Sequence, residues 1–153
     1  GFDLQEMELA YAPPFSSAKD PVNMAGYVIG NVMEGLMKPF YLEDLESIPE
    51  DAVRLDVRTV EEYAGGTIPG FINIPLDSLR ERMDELDLTK DIYITCQIGL
   101  RGYLAQRILD QAGARTWNLS GGYRFYEMKA KDEQSMAAAM TMCTECGMEV
   151  NAK

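Results

Sequence analysis

One cysteine and one arginine stand out for the chemistry that they suggest together. They are the first and last residues of the segment "CQIGLR", in which four residues separate Cys96 from Arg101. A thiolate is a strong nucleophile, and the amides of a tight turn and of a helix N-terminus stabilise negative charge. Gly99 permits the backbone conformation that such a turn needs. The segment therefore predicts an anion-binding loop around a cysteine that reacts as the thiolate.

The competing interpretation is a buried structural cysteine, because free cysteine is among the most buried residue types. The glycine, and the arginine that begins the following helix, favour the chemical interpretation. The chain contains no histidine, which excludes Ser-His and Cys-His catalysis and histidine-ligated metal sites within it. A thiolate stabilised by backbone amides needs no general base, so the lack of histidine is compatible with a reactive Cys96.

Cys143 and Cys146 form one CxxC pair near the end of the chain. A structural zinc site needs four ligands, and this pair supplies two of them. We therefore predict no metal site and interpret both residues as cysteines of an unstructured tail. An intermolecular site and a resolving pair for Cys96 are the alternatives.

The segments around the loop predict the framework that positions it. The run "DIYITC" is typical of a buried strand that ends at Cys96, and "LRGYLAQRILDQAG" of an amphipathic helix that follows it. Further strands are predicted in "AVRLDVR", "FINIPL" and "TWNLS", and further helices in "TVEEYAGG", "DSLRERMDEL" and "GGYRFYEM". This alternation predicts an α/β fold, with a small doubly wound, mostly parallel sheet and helices on both faces. Such sheets bind ligands at the carboxyl ends of their strands, where Cys96 is expected.

Three regions are predicted along the chain. Residues 1–36 comprise an extended segment and an appended N-terminal helix, residues 37–129 the α/β domain, and residues 130–153 a polar, loosely ordered tail. The N-terminal helix begins at Pro21 after an Asp20 N-cap, and its apolar residues predict one stripe: Val22, Ala25, Val28 or Ile29, Val32 and Leu36. The stripe must pack on the α/β domain, pair with another copy or stay exposed, and we expect some self-association as a homodimer.

The chain is strongly acidic, with 25 Asp and Glu residues against 14 Lys and Arg residues and a net charge of −11. This charge predicts that neither nucleic acid nor an anionic membrane is a partner. Three cysteines, an odd number, do not make a secreted disulfide framework, which favours the cytoplasm. The chain begins without methionine, and we expect it to be a fragment of a longer polypeptide.

The loop and two further motifs resemble those of rhodanese-family sulfurtransferases. "CQIGLR" is similar to the active-site loop of that family, "LDVRTVEEYAGGTIPGFINIP" to its Asp-x-Arg strand end and following Gly-x-Ile-Pro-Gly turn, and "NLSGGYRFY" to its closing turn and last helix. Together they cover about residues 38–129 in order. The family commonly has histidine where this chain has Thr67, in a turn that is mainly structural.

The resemblance implies a sulfurtransferase that carries sulfane sulfur as a persulfide on Cys96. It assigns the persulfide-binding loop to Gln97, Ile98, Gly99, Leu100 and Arg101. Arg101 would either orient an anionic donor or brace the loop. Asp56 and Arg58 match the strand-end pair, with substrate contact or bracing of the loop as the possible roles, and a structural salt bridge is the interpretation favoured for Asp56.

Two other functions are compatible with the sequence. Some phosphatases and arsenate reductases share this fold and a Cys-to-Arg loop, but they place five residues between the two, and this chain has four. A non-catalytic docking module of the same fold is the other alternative, and the intact Cys96 favours an enzyme. The uncharged Gln97, Ile98 and Leu100 favour an organic persulfide or polysulfide donor over thiosulfate.

The segment "ELAYAPPFSSAKDPVNMAGYVIGN" resembles the C-terminal end of the dimerisation domain in pyridine nucleotide-disulfide oxidoreductases, most closely the coenzyme A-disulfide reductase branch. By that likeness Tyr11 would reach the partner subunit's substrate site. Some of these flavoenzymes carry a C-terminal rhodanese domain directly after this segment. The resemblance therefore implies a parent that reduces CoA disulfide, CoA persulfide or polysulfide.

The cofactors and partners follow from the same resemblance. The parent would use FAD, NAD(P)H and CoA, whereas this chain has no GxGxxG fingerprint and no cofactor is expected within it. The implied partners are a sulfane-sulfur donor (CoA or another thiol persulfide, polysulfide or thiosulfate), a thiol acceptor and the parent reductase domain.

Overall fold

Five parallel strands form a single sheet in the order β1-β5-β4-β2-β3. The computed structural model describes residues 2–8 and 20–145 of the chain. The strands are β1 Pro39–Phe40, β2 Val53–Asp56, β3 Ile72–Asn73, β4 Asp91–Thr95 and β5 Arg115–Leu119. The α-helices are α1 Phe2–Gln5, α2 Pro21–Met33, α3 Val60–Ala64, α4 Leu100–Gln111 and α5 Gly122–Glu145, with 3₁₀ turns at Leu42–Ser47, Leu76–Ser78 and Met83–Glu85.

The central strand β4 separates two hydrophobic clusters, because successive side chains of a strand point to opposite faces. Ile92 and Ile94 are wholly buried in the first cluster, together with Leu109 of α4. Tyr93, between them, packs into the second cluster, which also contains Tyr126 of α5. Helices therefore cover both faces of the sheet, and the predicted α/β fold with a mostly parallel sheet is confirmed.

One predicted helix is replaced by two short turns. The segment 77–86, expected to be helical, forms the 3₁₀ turns Leu76–Ser78 and Met83–Glu85 instead. The Arg82 guanidinium donates to both carboxylate oxygens of Glu85, at 2.6 and 2.7 Å. Side chains three residues apart lie directly above one another in a 3₁₀ turn, so this pair favours the tighter winding.

Helix α5 extends well beyond the expected short helix, running from Gly122 to Glu145 through the first part of the predicted loosely ordered tail. Residues 130–145 are rich in Ala, Met, Glu, Lys and Gln, which have high helix propensity. An ion pair between Lys131 and Glu127 at 2.9 Å, one turn apart, adds a small stabilisation. Across the described residues, no helix combines the length and the apolar character needed to cross a bilayer.

Helix α2 has the predicted Asp20 cap, whose side chain accepts from the amide of Val22. It packs on α1 through the face opposite the apolar stripe. Gly26 allows this approach, because a Cβ there would lie 2.8 Å from the backbone nitrogen of Gln5, and Asn23 donates to the carbonyls of Leu4 and Met7. The apolar stripe thus stays exposed on the described part of the chain, with Val22, Val28, Ile29 and Val32 each 39–47% exposed. Tyr11 and Cys146 lie outside the described residues.

Candidate active site

Cys96 lies at the carboxyl end of β4 and is almost completely buried, with an exposed fraction of 1%. The amide of Gly99 donates to its Sγ atom at 3.0 Å. Gly99 is the N-cap of α4 and has a φ of +118°, a conformation that side-chain-bearing residues rarely adopt. A backbone donor therefore faces the sulfur from the predicted position in the loop, and it stabilises a negative charge there.

The first turn of α5 holds the loop by its backbone. The amide of Tyr123 donates to the carbonyl of Cys96 at 2.7 Å, and that of Arg124 to the carbonyl of Gln97 at 3.1 Å. These donors belong to the first turn of a helix, whose amides have no partner within the helix. The carbonyl of Cys96 and the amide of Gln97 belong to one peptide, and the carbonyl of Gln97 and the amide of Ile98 belong to the next. In a trans peptide the N–H points opposite to the C=O. Because both carbonyls point to α5, both amides point away from it.

Asp56 and Arg58 form a buried ion pair beneath the loop. The Arg58 guanidinium donates to both carboxylate oxygens of Asp56, at 2.7 to 3.1 Å, and both side chains are almost entirely inaccessible to solvent. Arg58 also donates to the carbonyl of Gly66 at 2.7 Å and to the side-chain oxygen of Gln97 at 3.5 Å, and it lies 3.9 Å from the ring centroid of Tyr123. Its donors are thus used within the protein, which favours bracing of the loop over contact with substrate.

Thr67 takes part in this buried network. Its hydroxyl lies 3.3 Å from Oδ2 of Asp56, the oxygen that also accepts from Arg58. The residue that stands where histidine is common in the resembling family therefore supplies a polar contact to the ion pair. The departure from the family pattern leaves the buried carboxylate hydrogen-bonded.

Arg101 is joined to Glu62 of α3 rather than pointing into open solvent. Two parallel hydrogen bonds of 2.6 and 2.8 Å connect the guanidinium and the carboxylate. Glu62 also accepts from the amide of Thr59, as the acid of a capping box. The hydrogen bond from Arg101, assisted by that from Thr59, lowers the pKa of Glu62 to about 2. The pKa of Arg101 is raised, chiefly by Glu62 and to a smaller extent by the nearby Cys96 and Asp56.

The Glu62–Arg101 pair predicts a pH-dependent stability. We expect Glu62→Gln to lower the free energy of unfolding by about 1 kcal/mol at neutral pH, a value kept small because the pair is partly exposed. The carboxyl pKa falls from 4.5 to about 2 on folding, so its contribution is fully present above pH 4.5 and is lost as the pH falls towards 2. Urea unfolding of the wild type and the variant across this range should show the difference shrinking. A difference that is independent of pH would contradict the assignment.

The remaining loop side chains line the outside of the site. Ile98 and Leu100 are 61% and 65% exposed, whereas Gln97 is half-buried against Arg58. The structure thus brings together Cys96, Gly99, Arg101 and the Asp56–Arg58 pair, and it places two apolar side chains at the rim. The exposed side chains of the loop itself at these two positions are therefore uncharged.

Three residues near the site were not among the predicted ones: Glu62, Asn118 and Tyr123. Glu62 could have been found from the sequence, because Thr59 and Glu62 have the spacing of a capping box. Asn118 is a wholly buried polar residue in the predicted strand "TWNLS", and its side chain donates to the carbonyl of Gly99 at 3.0 Å. Nothing in the local sequence indicates that Tyr123 lies against Arg58.

Comparison with known proteins agrees with this geometry. The family model described as "Rhodanese-like domain" matches residues 42–129. The putative sulfurtransferase YtwF of Bacillus subtilis is 34% identical over 82 residues, which cover 54% of this chain and 80% of that protein.

Two solved structures are similar over most of the chain. The reduced CoADR-RHD of Bacillus anthracis superposes with a TM-score of 0.77 and 48% identity over 82% of this chain and 23% of that one. The NAD-dependent persulfide reductase from A. fulgidus has a TM-score of 0.69 and 41% identity over 81% of this chain and 22% of that one. This chain therefore spans less than a quarter of either reductase. With a family match over residues 42–129 and the predicted fold, the chain belongs to the rhodanese-like domain family.

Proposed function

We propose that this chain is a sulfurtransferase that carries sulfane sulfur as a persulfide on Cys96. The observation that carries the proposal is the 3.0 Å hydrogen bond from the Gly99 amide to Sγ of Cys96. The carbonyls of Cys96 and Gln97 in the same loop accept hydrogen bonds from α5. A negatively charged sulfur at this position has a backbone donor and adjoins the N-terminus of α4. Relatives that are named sulfurtransferases support the same reaction class.

The transfer proceeds in two balanced displacements. The Cys96 thiolate attacks the outer sulfur of a donor R–S–SH, the donor's S–S bond breaks, and the thiolate R–S⁻ leaves and takes up a proton. Cys96 then carries the persulfide Cys–S–SH, which loses its proton to give Cys–S–S⁻. An acceptor thiolate attacks the outer sulfur, the second S–S bond breaks, and the Cys96 thiolate is regenerated. No external oxidant or reductant is needed, since the sulfane sulfur only changes partners.

The charged residues hold the loop in place during this cycle. Arg101 has its guanidinium engaged by Glu62, and Arg58 has its own engaged by Asp56, so both act as braces for the loop. Donor recognition then rests on the loop amides and on the exposed rim at Ile98 and Leu100. An uncharged rim favours an organic persulfide or polysulfide donor over the dianion thiosulfate.

We further infer that the chain is the C-terminal part of a flavin-dependent reductase of CoA disulfide, CoA persulfide or polysulfide. The similarity to CoADR-RHD and to the persulfide reductase supports this parent, as does the resemblance of residues 8–31 to a flavoenzyme dimerisation domain. In that parent FAD, NAD(P)H and CoA would bind outside this chain. The reductase domain would receive sulfur from Cys96 and a thiol would be the acceptor.

The proposal is tested by intact mass spectrometry after incubation with a persulfide donor, such as glutathione persulfide. We expect an adduct of one sulfur atom on the wild type, located on Cys96 by peptide mapping and discharged by added thiol. Cys96→Ser is the matched control and should gain no sulfur. An absent adduct, or one that persists in the control, would refute the proposal. Faster loading by thiosulfate than by the organic persulfide would overturn the donor preference alone.

A further inference from the structure

Asn118 is a buried amide whose side chain reaches the active-site loop from the neighbouring strand. It lies in β5, paired with Ile94 of β4, and is wholly inaccessible to solvent. Its Nδ2 atom donates to the carbonyl of Gly99 at 3.0 Å. Gly99 is therefore held at both ends of the residue: its N–H donates to Sγ of Cys96, and its carbonyl accepts from Asn118.

The other end of the same amide has no hydrogen-bond partner among the described residues. Oδ1 of Asn118 is buried and unsatisfied, and it lies against the backbone of Gly102, where an added Cβ would overlap with it. An unpaired buried acceptor is unfavourable for folding. An apolar side chain of similar shape would avoid that cost, so Asn118 is better explained by the hydrogen bond that it donates than by packing.

Gly99 is the point at which the loop most needs an external restraint. Its φ of +118° lies in a region that glycine leaves and enters easily, and a Cβ at this position would meet no atom within 4 Å. Side-chain packing therefore does not fix this peptide. The amide of Tyr103 and the side chain of Asn118 both donate to its carbonyl, and the Asn118 bond comes from an internal strand of the sheet.

We propose that Asn118 is a positioning residue for the sulfur chemistry of Cys96. Its amide fixes the carbonyl of Gly99, and this keeps the Gly99 N–H directed at Sγ both in the thiolate and in the persulfide. Asn118 does not touch the reacting atoms. The expected effect on sulfur transfer rests on the proposed function. The stabilisation of the Cys96 thiolate by the Gly99 N–H does not depend on any sulfur donor.

Asn118→Leu separates a positioning role from a structural one. Leucine is close to asparagine in shape and removes both the donor and the unsatisfied acceptor, so the thermal midpoint should be unchanged or higher. Sulfur transfer is expected to fall about tenfold, in kcat rather than in KM for the donor, because a displaced donor stabilises the transition state less well. The rate at which iodoacetamide alkylates Cys96 at neutral pH, followed by peptide mapping, should also fall, because the Gly99 N–H no longer stabilises the negative sulfur.

Gln106→Leu is the matched control, because Gln106 is a second wholly buried amide that ties α4 to β5, through the carbonyl of Thr116. Its side chain bonds to Lys38 and Thr116 and not to the loop, so its loss should lower the thermal midpoint without slowing the alkylation of Cys96 in the folded protein. If the leucine variant does not fold, Asn118→Ala replaces it in the same measurements, because alanine also removes the donor and adds no volume.

An Asn118 variant that folds and whose Cys96 is alkylated as fast as in the wild type would overturn the inference. A loss of sulfur transfer that merely follows the folded fraction would do the same. If the wild type itself takes up no sulfur, the proposed function fails, and the alkylation rate of Cys96 still decides the role of Asn118.

Discussion

Arg58→Leu is expected to lower the free energy of unfolding by about 3 to 5 kcal/mol, since removing one member of a buried ion pair leaves the other charge uncompensated. The Asp56 carboxylate is wholly buried, and leucine cannot replace the guanidinium that bonds both of its oxygens. Domains of this size are stable by only about 5 to 15 kcal/mol. Urea unfolding followed by circular dichroism measures the change.

Two further variants test the cause of that loss. The double variant Asp56→Asn, Arg58→Leu removes the buried charge and should recover part of the stability. Arg82→Leu removes an arginine that pairs with Glu85 at the exposed surface, and it should change the stability little. A small effect of Arg58→Leu, comparable to that of Arg82→Leu, would show that the buried pair does not stabilise the fold.

Gly122→Ala is expected to abolish most sulfur transfer, by a factor of about 100 or more, because small displacements of reacting groups are costly. The φ of Gly122 is +59°. An added Cβ would overlap with the carbonyl of Cys96 and lie 2.8 Å from the carbonyl oxygen of Gln97. These are backbone atoms that cannot rotate away, so the loop itself must move. Steady-state transfer from a persulfide donor to a thiol measures the loss.

Gly113→Ala is the control for this prediction. Gly113 also has a positive φ, +91°, but a Cβ there would meet no atom within 4 Å. The variant therefore incurs the conformational cost of about 1 to 2 kcal/mol without a steric clash, and it should keep normal transfer when folded. Equal activity of the two variants would show that contact between α5 and the loop does not determine the geometry at Cys96.

The central strand and the loop were predictable because their signals are local. The strand Asp91–Thr95 has a short apolar centre, "IYI", and ends directly before the cysteine, and Gly99 marks the turn between the strand and α4. A continuous apolar run of this length predicts a strand covered on both faces. The place of Cys96 at the carboxyl end of β4 followed from these local signals alone.

The contacts that brace the loop could not be predicted in the same way, since they join residues that are distant in sequence. Glu62 and Arg101 are 39 positions apart, as are Arg58 and Gln97. Periodicity indicates which residues of one helix share a face, but it does not indicate which side chain lies opposite. Nor does it show how α2 packs, because its apolar stripe stays exposed while Gly26 and Gly30 lie against α1.

The loop is attached to α5 through its backbone. The geometry at Cys96 and the preference for a donor can therefore change independently in evolution. The hydrogen bonds from Tyr123 and Arg124 use the backbone carbonyls of Cys96 and Gln97, and they do not involve the side chains of Ile98 and Leu100. Ile98 and Leu100 are largely exposed, so they can be exchanged at little cost in stability. Libraries randomised at positions 98 and 100 should therefore yield altered donor preferences on an unchanged reactive centre.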